Sequence, residues 1–124
     1  MAVRKPSALV SEDTELGRWA LTRALEAEGF EVQAVPTWVD ASARLQRCGF
    51  SLALVAVSSA SGNAADIVAY VREHHAHTHL VLLADEDSIR ELRLSCGPDV
   101  AILTKPLDLE EVAAGTKAWL AVLA

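Results

Sequence analysis

Leu52-Ala53-Leu54-Val55-Ala56-Val57 is the stretch that decides the architecture. Neither alternate face of it carries a polar residue, so a strand built from it must be covered on both sides, as a central strand of a parallel sheet is. Leu80-Val81-Leu82-Leu83 has the same character. Outward from these, Ser7 to Val10, Glu31 to Val35 and Val100 to Leu103 are three further short apolar or β-branched runs, and with Leu52 to Val57 and Leu80 to Ala84 they make five strands. After each comes a helical pattern: Glu15 to Glu28, Trp38 to Cys48, Ala64 to His75, Ser88 to Ser95 and Leu109 to Val122. Thr14, Thr37 with Asp40, and Asp108 with Glu111 are the expected caps. Gly29 and Gly49 are the expected stops of the first two helices, and Gly97-Pro98 ends the fourth. Right-handed crossovers fold a fivefold β-α repeat into a doubly wound five-stranded parallel sheet.

The chain has 124 residues, 52% of them hydrophobic, which is enough for one domain spanning 1-124 with its own core. No linker, internal repeat or low-complexity tract divides it. A net charge of -6 without a basic stripe argues against direct nucleic-acid binding. Met1-Ala2-Val3-Arg4-Lys5-Pro6 precedes only a short apolar run, so no signal peptide or membrane span is expected and the chain reads as cytoplasmic. Cys48 and Cys96 have neither metal-ligand nor redox spacing and read as reduced, idle thiols in helices.

In an open parallel sheet the ligand site lies beyond the carboxyl ends of the strands. The residues there are Glu12 and Asp13 after strand one, then Ala56, Ser58 and Ser59 around the end of strand three. Strand four ends at Ala84, followed by Asp85-Glu86-Asp87, and strand five is followed by Thr104-Lys105-Pro106.

With Leu9-Val10-Ser11-Glu12-Asp13, Gly29-Phe30 and the closing Leu103-Thr104-Lys105-Pro106-Leu107-Asp108-Leu109-Glu110-Glu111, the chain resembles the receiver domain of bacterial two-component response regulators over nearly its whole length. The resemblance implies a flavodoxin-like (βα)5 fold with strand order 2-1-3-4-5. It also implies a site in which two acids after strand one and an aspartate ending strand three hold magnesium, and that aspartate accepts a phosphoryl group from a histidine kinase. Magnesium takes hard oxygen ligands and offsets phosphoryl charge, while a lysine contacts the phosphoryl oxygens. Residue by residue, Glu12 and Asp13 match the acids and Lys105 the lysine, with a cis bond expected before Pro106.

Three positions depart from that pattern. Ala56 stands at the phosphoacceptor, Ala84 at the switching hydroxyl and Ile102 at the aromatic that swings with it. No other acid occurs from Phe50 through Asn63, so a shifted alignment does not restore the acceptor. The remaining Glu12 and Asp13, with the Ser58 carbonyl, make at most a weak magnesium site, and no cofactor is expected. An ion pair between the acids and Lys105 across the strand ends is the plainer reading, with Lys105 filling the space left at Ala56. Asp85-Glu86-Asp87 reads as a solvated loop in which Asp87 or Ser88 caps the fourth helix. Ser58 and Ser59 read as polar loop residues, since nothing nearby marks a kinase site.

His74-His75-Ala76-His77-Thr78-His79 invites a metal reading. It falls at the sheet end opposite the acids, however, where partly charged histidine suits a helix C-terminus. Trp19 lies off the apolar stripe of Gly17, Ala20, Leu21, Ala24 and Leu25, and with a partly exposed Trp119 it would form a patch for a protein partner. In the fourth helix Ile89 and Leu92 are expected to pack inward, which leaves Arg90, Glu91 and Arg93 to a partner.

A phosphatase, hydrolase or flavin enzyme would need a phosphate loop or a nucleophile with a histidine among the strand ends, and neither is present. The sequence therefore reads as a pseudo-receiver that is not an enzyme and acts by binding a protein partner or a fused output domain, with a homodimer as one form. Two alternatives stay open at this point: a receiver that still switches through a non-standard site, and a histidine-rich metal-binding protein. No output module follows the fifth helix in this sequence, which leaves open a stand-alone domain or part of a longer regulator.

Overall fold

The protein is described by a computed structural model that covers residues 5–57 and 64–123; the expectations for Met1 to Arg4 and for Ser58 and Ser59 lie outside the described residues. Ten elements alternate: β1 (Ser7–Ser11), α1 (Glu15–Ala27), β2 (Glu31–Val35), α2 (Trp38–Arg47), β3 (Leu52–Ala56), α3 (Ala64–His74), β4 (His79–Asp85), α4 (Glu86–Cys96), β5 (Ala101–Lys105) and α5 (Leu109–Leu123). The strands form one parallel sheet in the order β2-β1-β3-β4-β5. This is the flavodoxin-like arrangement expected from the sequence.

Strict alternation along the central strands divides the core into two layers. Ala53, Val55, Leu82 and Ala84 face α2, α3 and α4, where they meet Leu45, Ile67, Val68, Val71 and Leu92. Leu52, Leu54, Val81 and Leu83 face α1 and α5, against Leu21, Leu25, Val112 and Trp119. The apolar run 52–57 is thus covered from both sides, as its composition requires.

The caps explain where the elements begin and where the expectations fail. Thr14 Oγ1 accepts from the Gly17 N–H at 3.1 Å and Thr37 Oγ1 from the Asp40 N–H at 3.2 Å. At α5, Asp108 Oδ1 accepts from the N–H of Glu110 at 2.8 Å. Gly29 stops α1 with φ of 100°, a conformation glycine adopts without Cβ strain. Gly49 does not play this part, because α2 has already ended in extended backbone at Cys48 (φ -133°, ψ 144°); the second left-handed glycine among the described residues is Gly97, which ends α4. Neither Asp87 nor Ser88 caps α4. β4 runs on to Asp85 and the helix starts at the next residue, so Asp87 lies in its first turn and Ser88 is buried.

Two surface expectations change as well. Trp19 is 59% exposed, with Arg23 over its ring at 5.2 Å, but Trp119 is 8% exposed and packs into the α1–α5 layer. Trp119 is therefore a core residue and not half of a partner patch; Gly115 makes room for its ring, since a Cβ there would lie 3.0 Å from Trp119 Cζ2. Arg93 is exposed as expected, and its Nη1 donates to the carbonyls of Pro98 (3.1 Å) and Val100 (2.7 Å), which ties α4 to the start of β5. Arg90 and Glu91 are exposed as expected, Leu92 is buried, and Ile89 is only half-buried beside the exposed Leu94.

Candidate functional site

The carboxyl ends of β1, β3, β4 and β5 meet at one edge, and the parallel register fixes which residues share it. Ala56 lies opposite Leu83, Ala84 opposite Thr104 and Asp85 opposite Lys105. The sheet is closed at this level by the Glu12 N–H donating to the Val35 carbonyl (3.0 Å) and the Val57 N–H donating to the Leu83 carbonyl (2.8 Å).

Glu12 and Asp13, adjacent in sequence, go to different places. The Glu12 side chain is 2% exposed and its Oε2 lies 2.7 Å from Lys105 Nζ. Its Oε1 accepts from the Thr14 N–H at 3.3 Å. Gly17 permits this, because a Cβ there would stand 2.6 Å from Thr14 Oγ1 and 2.9 Å from Glu12 Cγ. Arg18 Nη1 clasps the turn through the carbonyls of Glu12 (2.8 Å) and Asp13 (3.1 Å). The ion pair expected across the strand ends is thus present and is made by Glu12.

Asp13 is exposed and lines a cavity of about 320 Å³ together with Ser11, Pro36, Thr37, Trp38, Ala56, Val57, Asp85 and Lys105. Its carboxyl is held below the usual aspartate value, first by hydrogen bonding with Glu12, with help from the Asp13 and Thr14 backbone N–H groups and the Lys105 charge, and against partial desolvation. Ala56 contributes a methyl group to the cavity floor. Ala84 and Ile102 do not line it: Ala84 is fully buried and Ile102 packs against the same layer, under α2, α3 and α4. The exposed Pro106 follows Lys105 through a cis bond.

Asp85 is the wall residue that the sequence reading undervalued. It ends β4 and does not belong to a solvated loop, and although it occupies the N-cap position of α4 its side chain makes no capping hydrogen bond. The available signal was the parallel pairing itself, which carries β4 as far as β5 and so brings Asp85 level with Lys105. Thr37 and Trp38 also belong to the wall, from the start of α2, one connection beyond the strand ends at which the sequence places the site.

The residues do not fit the magnesium centre that the resemblance implies. Glu12 is engaged by Lys105, Ala56 offers no oxygen, and among the described residues no three His, Cys, Asp or Glu side chains converge on a point. The histidines are distributed as well. His74 and His75 pack on Tyr70 (ring centroids 5.1 and 5.3 Å), while His79 begins β4 and lies 6.3 Å from the Trp119 ring. Partial burial pushes the His79 imidazole below its usual value.

No family model matches the chain and no curated protein sequence matches it. Solved structures do. A response regulator from Thermotoga maritima superposes with a TM-score of 0.80 at 21% identity, covering 95% of this chain and 99% of that one. A CheY-like receiver domain protein from Methanospirillum hungatei gives 0.79 at 18% identity, with 97% of each chain covered. An atypical orphan response regulator, described as having a phosphorylation-independent regulatory mechanism, gives 0.78 at 19% identity over 93% of this chain and 95% of that one. The fold is therefore that of response regulator receiver domains. Among the described residues no helix is long and apolar enough to cross a membrane.

Proposed function

We propose that this chain is a pseudo-receiver, a non-enzymatic, phosphorylation-independent interaction module of a two-component-type regulatory system. The observation that carries the reading is Ala56: the residue ending β3 at the cavity floor is a methyl group, which neither accepts a phosphoryl group nor ligates a metal. Ala84 and Ile102 support it, since neither side chain reaches the cavity to report on its contents. The resemblance to an orphan regulator with a phosphorylation-independent mechanism is consistent with it. The partner is a protein or a fused output domain in the cytoplasm, or a second copy of the chain. Its contact residues are Trp19 with Arg23 on α1 and Arg90 and Glu91 on α4, all exposed.

A second reading draws on Asp85. With Asp13 it places two carboxylates on a cavity that also holds Lys105, which favours a receiver that still switches through a non-standard ligand set. An amide NMR titration with magnesium and then beryllofluoride decides between the two. The pseudo-receiver shows no saturable shifts at Asp13, Asp85, Lys105 or α4, whereas saturable shifts spreading from the cavity into α4 and α5 overturn it.

A further inference from the structure

The cavity differs from a phosphoryl site in its charge as well as in its missing acceptor. Its one lysine is already neutralised from below: Lys105 Nζ lies 2.7 Å from Glu12, whose side chain is 2% exposed. Arg18 donates through Nη1 to the carbonyls of Glu12 and Asp13, and no arginine lines the cavity among the described residues. Residues 58–63, between β3 and α3, carry no charged side chain in the sequence. Among the described residues the one lysine therefore faces three carboxylates, Glu12 beneath it and Asp13 and Asp85 in the walls, an excess of negative charge, and Asp85 is not engaged in capping α4. The start of α2 does not require them, because its own Asp40 takes up the Thr37 hydroxyl at 3.0 Å. The remaining large wall is the Trp38 indole, fixed edge-to-face on Tyr70 at 5.8 Å and 83°.

An anion entering this cavity meets two carboxylates and a lysine already paired with a third. A hydrated divalent metal could take the two carboxylates and fill its shell with water, but it would leave the aromatic wall unused. A planar or alkylated nitrogen cation meets complementary groups on both counts, since carboxylates accept its N–H donors and an indole face attracts its charge. We propose that this cavity binds a small organic cation, a guanidinium or alkylammonium group, between Asp13, Asp85 and Trp38. The inference rests on the proposed loss of phosphoryl function at the same site. The cation belongs either to a free amine or to an arginine or lysine side chain.

The test is a ¹⁵N NMR titration of the intact chain at about 150 mM salt, where loose surface attraction is largely screened. The probes are agmatine, putrescine and N-acetyl-arginine amide, followed by magnesium with beryllofluoride on a separate sample. The expected result is saturable shifts with one common Kd at Ser11, Asp13, Asp85 and the Trp38 indole N–H, weakened at least about fivefold by Asp85→Asn and unchanged by Glu73→Gln at the exposed end of α3. Tighter binding of agmatine than of N-acetyl-arginine amide assigns the site to a free amine, and equal or tighter binding of the amide assigns it to a protein side chain. Shifts scattered over surface acids, or binding indifferent to Asp85→Asn in a variant that keeps the wild-type spectrum elsewhere, overturn the inference. If neither the cations nor beryllofluoride act, this inference falls and the pseudo-receiver reading stands. A response to beryllofluoride that spreads into α4 overturns both.

Discussion

Glu12 is a buried carboxylate with one cationic partner, and Lys105 is that partner. Removing the lysine leaves a charge stranded under α1, which in buried pairs costs about 3–5 kcal/mol, with the lower end apt here because the Lys105 side chain is 26% exposed. Lys105→Met is therefore expected to lower urea-unfolding stability by about 3 kcal/mol, and adding Glu12→Gln to recover most of it. Equal loss in the single and double variants would show that the pair is not the cause. Asp13 behaves differently because it is exposed and its pKa is depressed in the folded protein. Its contribution is complete above the unfolded value of 3.8 and is lost as pH falls through the lower folded value. Asp13→Asn should flatten the acid limb of thermal stability below about pH 4 and leave the neutral region nearly unchanged. Ala56→Asp adds a third carboxylate beside Asp13 and Asp85 while the lysine is already paired. Thermal melts at pH 7 without magnesium are expected to show a loss of about 1–2 kcal/mol, the equivalent of one to two pKa units of like-charge repulsion. An equal or higher Tm would mean that the cavity still accommodates an acid. The missing acceptor was legible in the sequence because one residue at one strand end decides it. The division of labour between Glu12 and Asp13 was not, because it depends on Gly17 letting one carboxylate turn beneath the helix.

At the scale of elements, the sequence located all ten, and the errors cluster where two elements compete for the same residues. β4 keeps His79 and Asp85 because parallel neighbours on both sides supply ladder partners that a single-strand pattern cannot reveal. α4 then starts at Glu86 without a loop, and the expected caps at Asp87 and Ser88 become helix interior. α5 shows the same limit. Periodicity places Trp119 on a helix, but its burial follows from Gly115 one turn earlier, which frees the volume its ring fills beside the sheet. Trp119→Ala should cost about 3–5 kcal/mol, as deletion of a buried aromatic does, and Trp19→Ala less than about 1 kcal/mol, since its ring is mostly in water. Equilibrium urea unfolding of the two variants checks this contrast; similar losses would return Trp119 to the surface or Trp19 to the core.

The whole molecule is a sheet with two separate apolar layers, and signals from the cavity must cross from the strand ends into one of them to reach α4. In the relay that the resemblance implies, a hydroxyl ending strand four and an aromatic in strand five make that crossing. Here both positions, Ala84 and Ile102, sit in the layer beneath α2, α3 and α4, with no polar atom to attract toward the cavity. Arg93 further pins α4 to the start of β5 through two carbonyls, one of them at 2.7 Å. With alanine and isoleucine in place of the hydroxyl and the aromatic, this layer lacks the two side chains that would give a ligand two states to bias. Relaxation dispersion on backbone ¹⁵N is therefore expected to be flat from Leu80 through Lys105 in the free protein, and to stay flat when an organic cation occupies the cavity. The binding signal would then be confined to the strand ends and the start of α2. Dispersion with a common rate at Ala84, Ile102 and α4 would reveal a two-state relay working without the hydroxyl and the aromatic, and would place regulation back inside the fold.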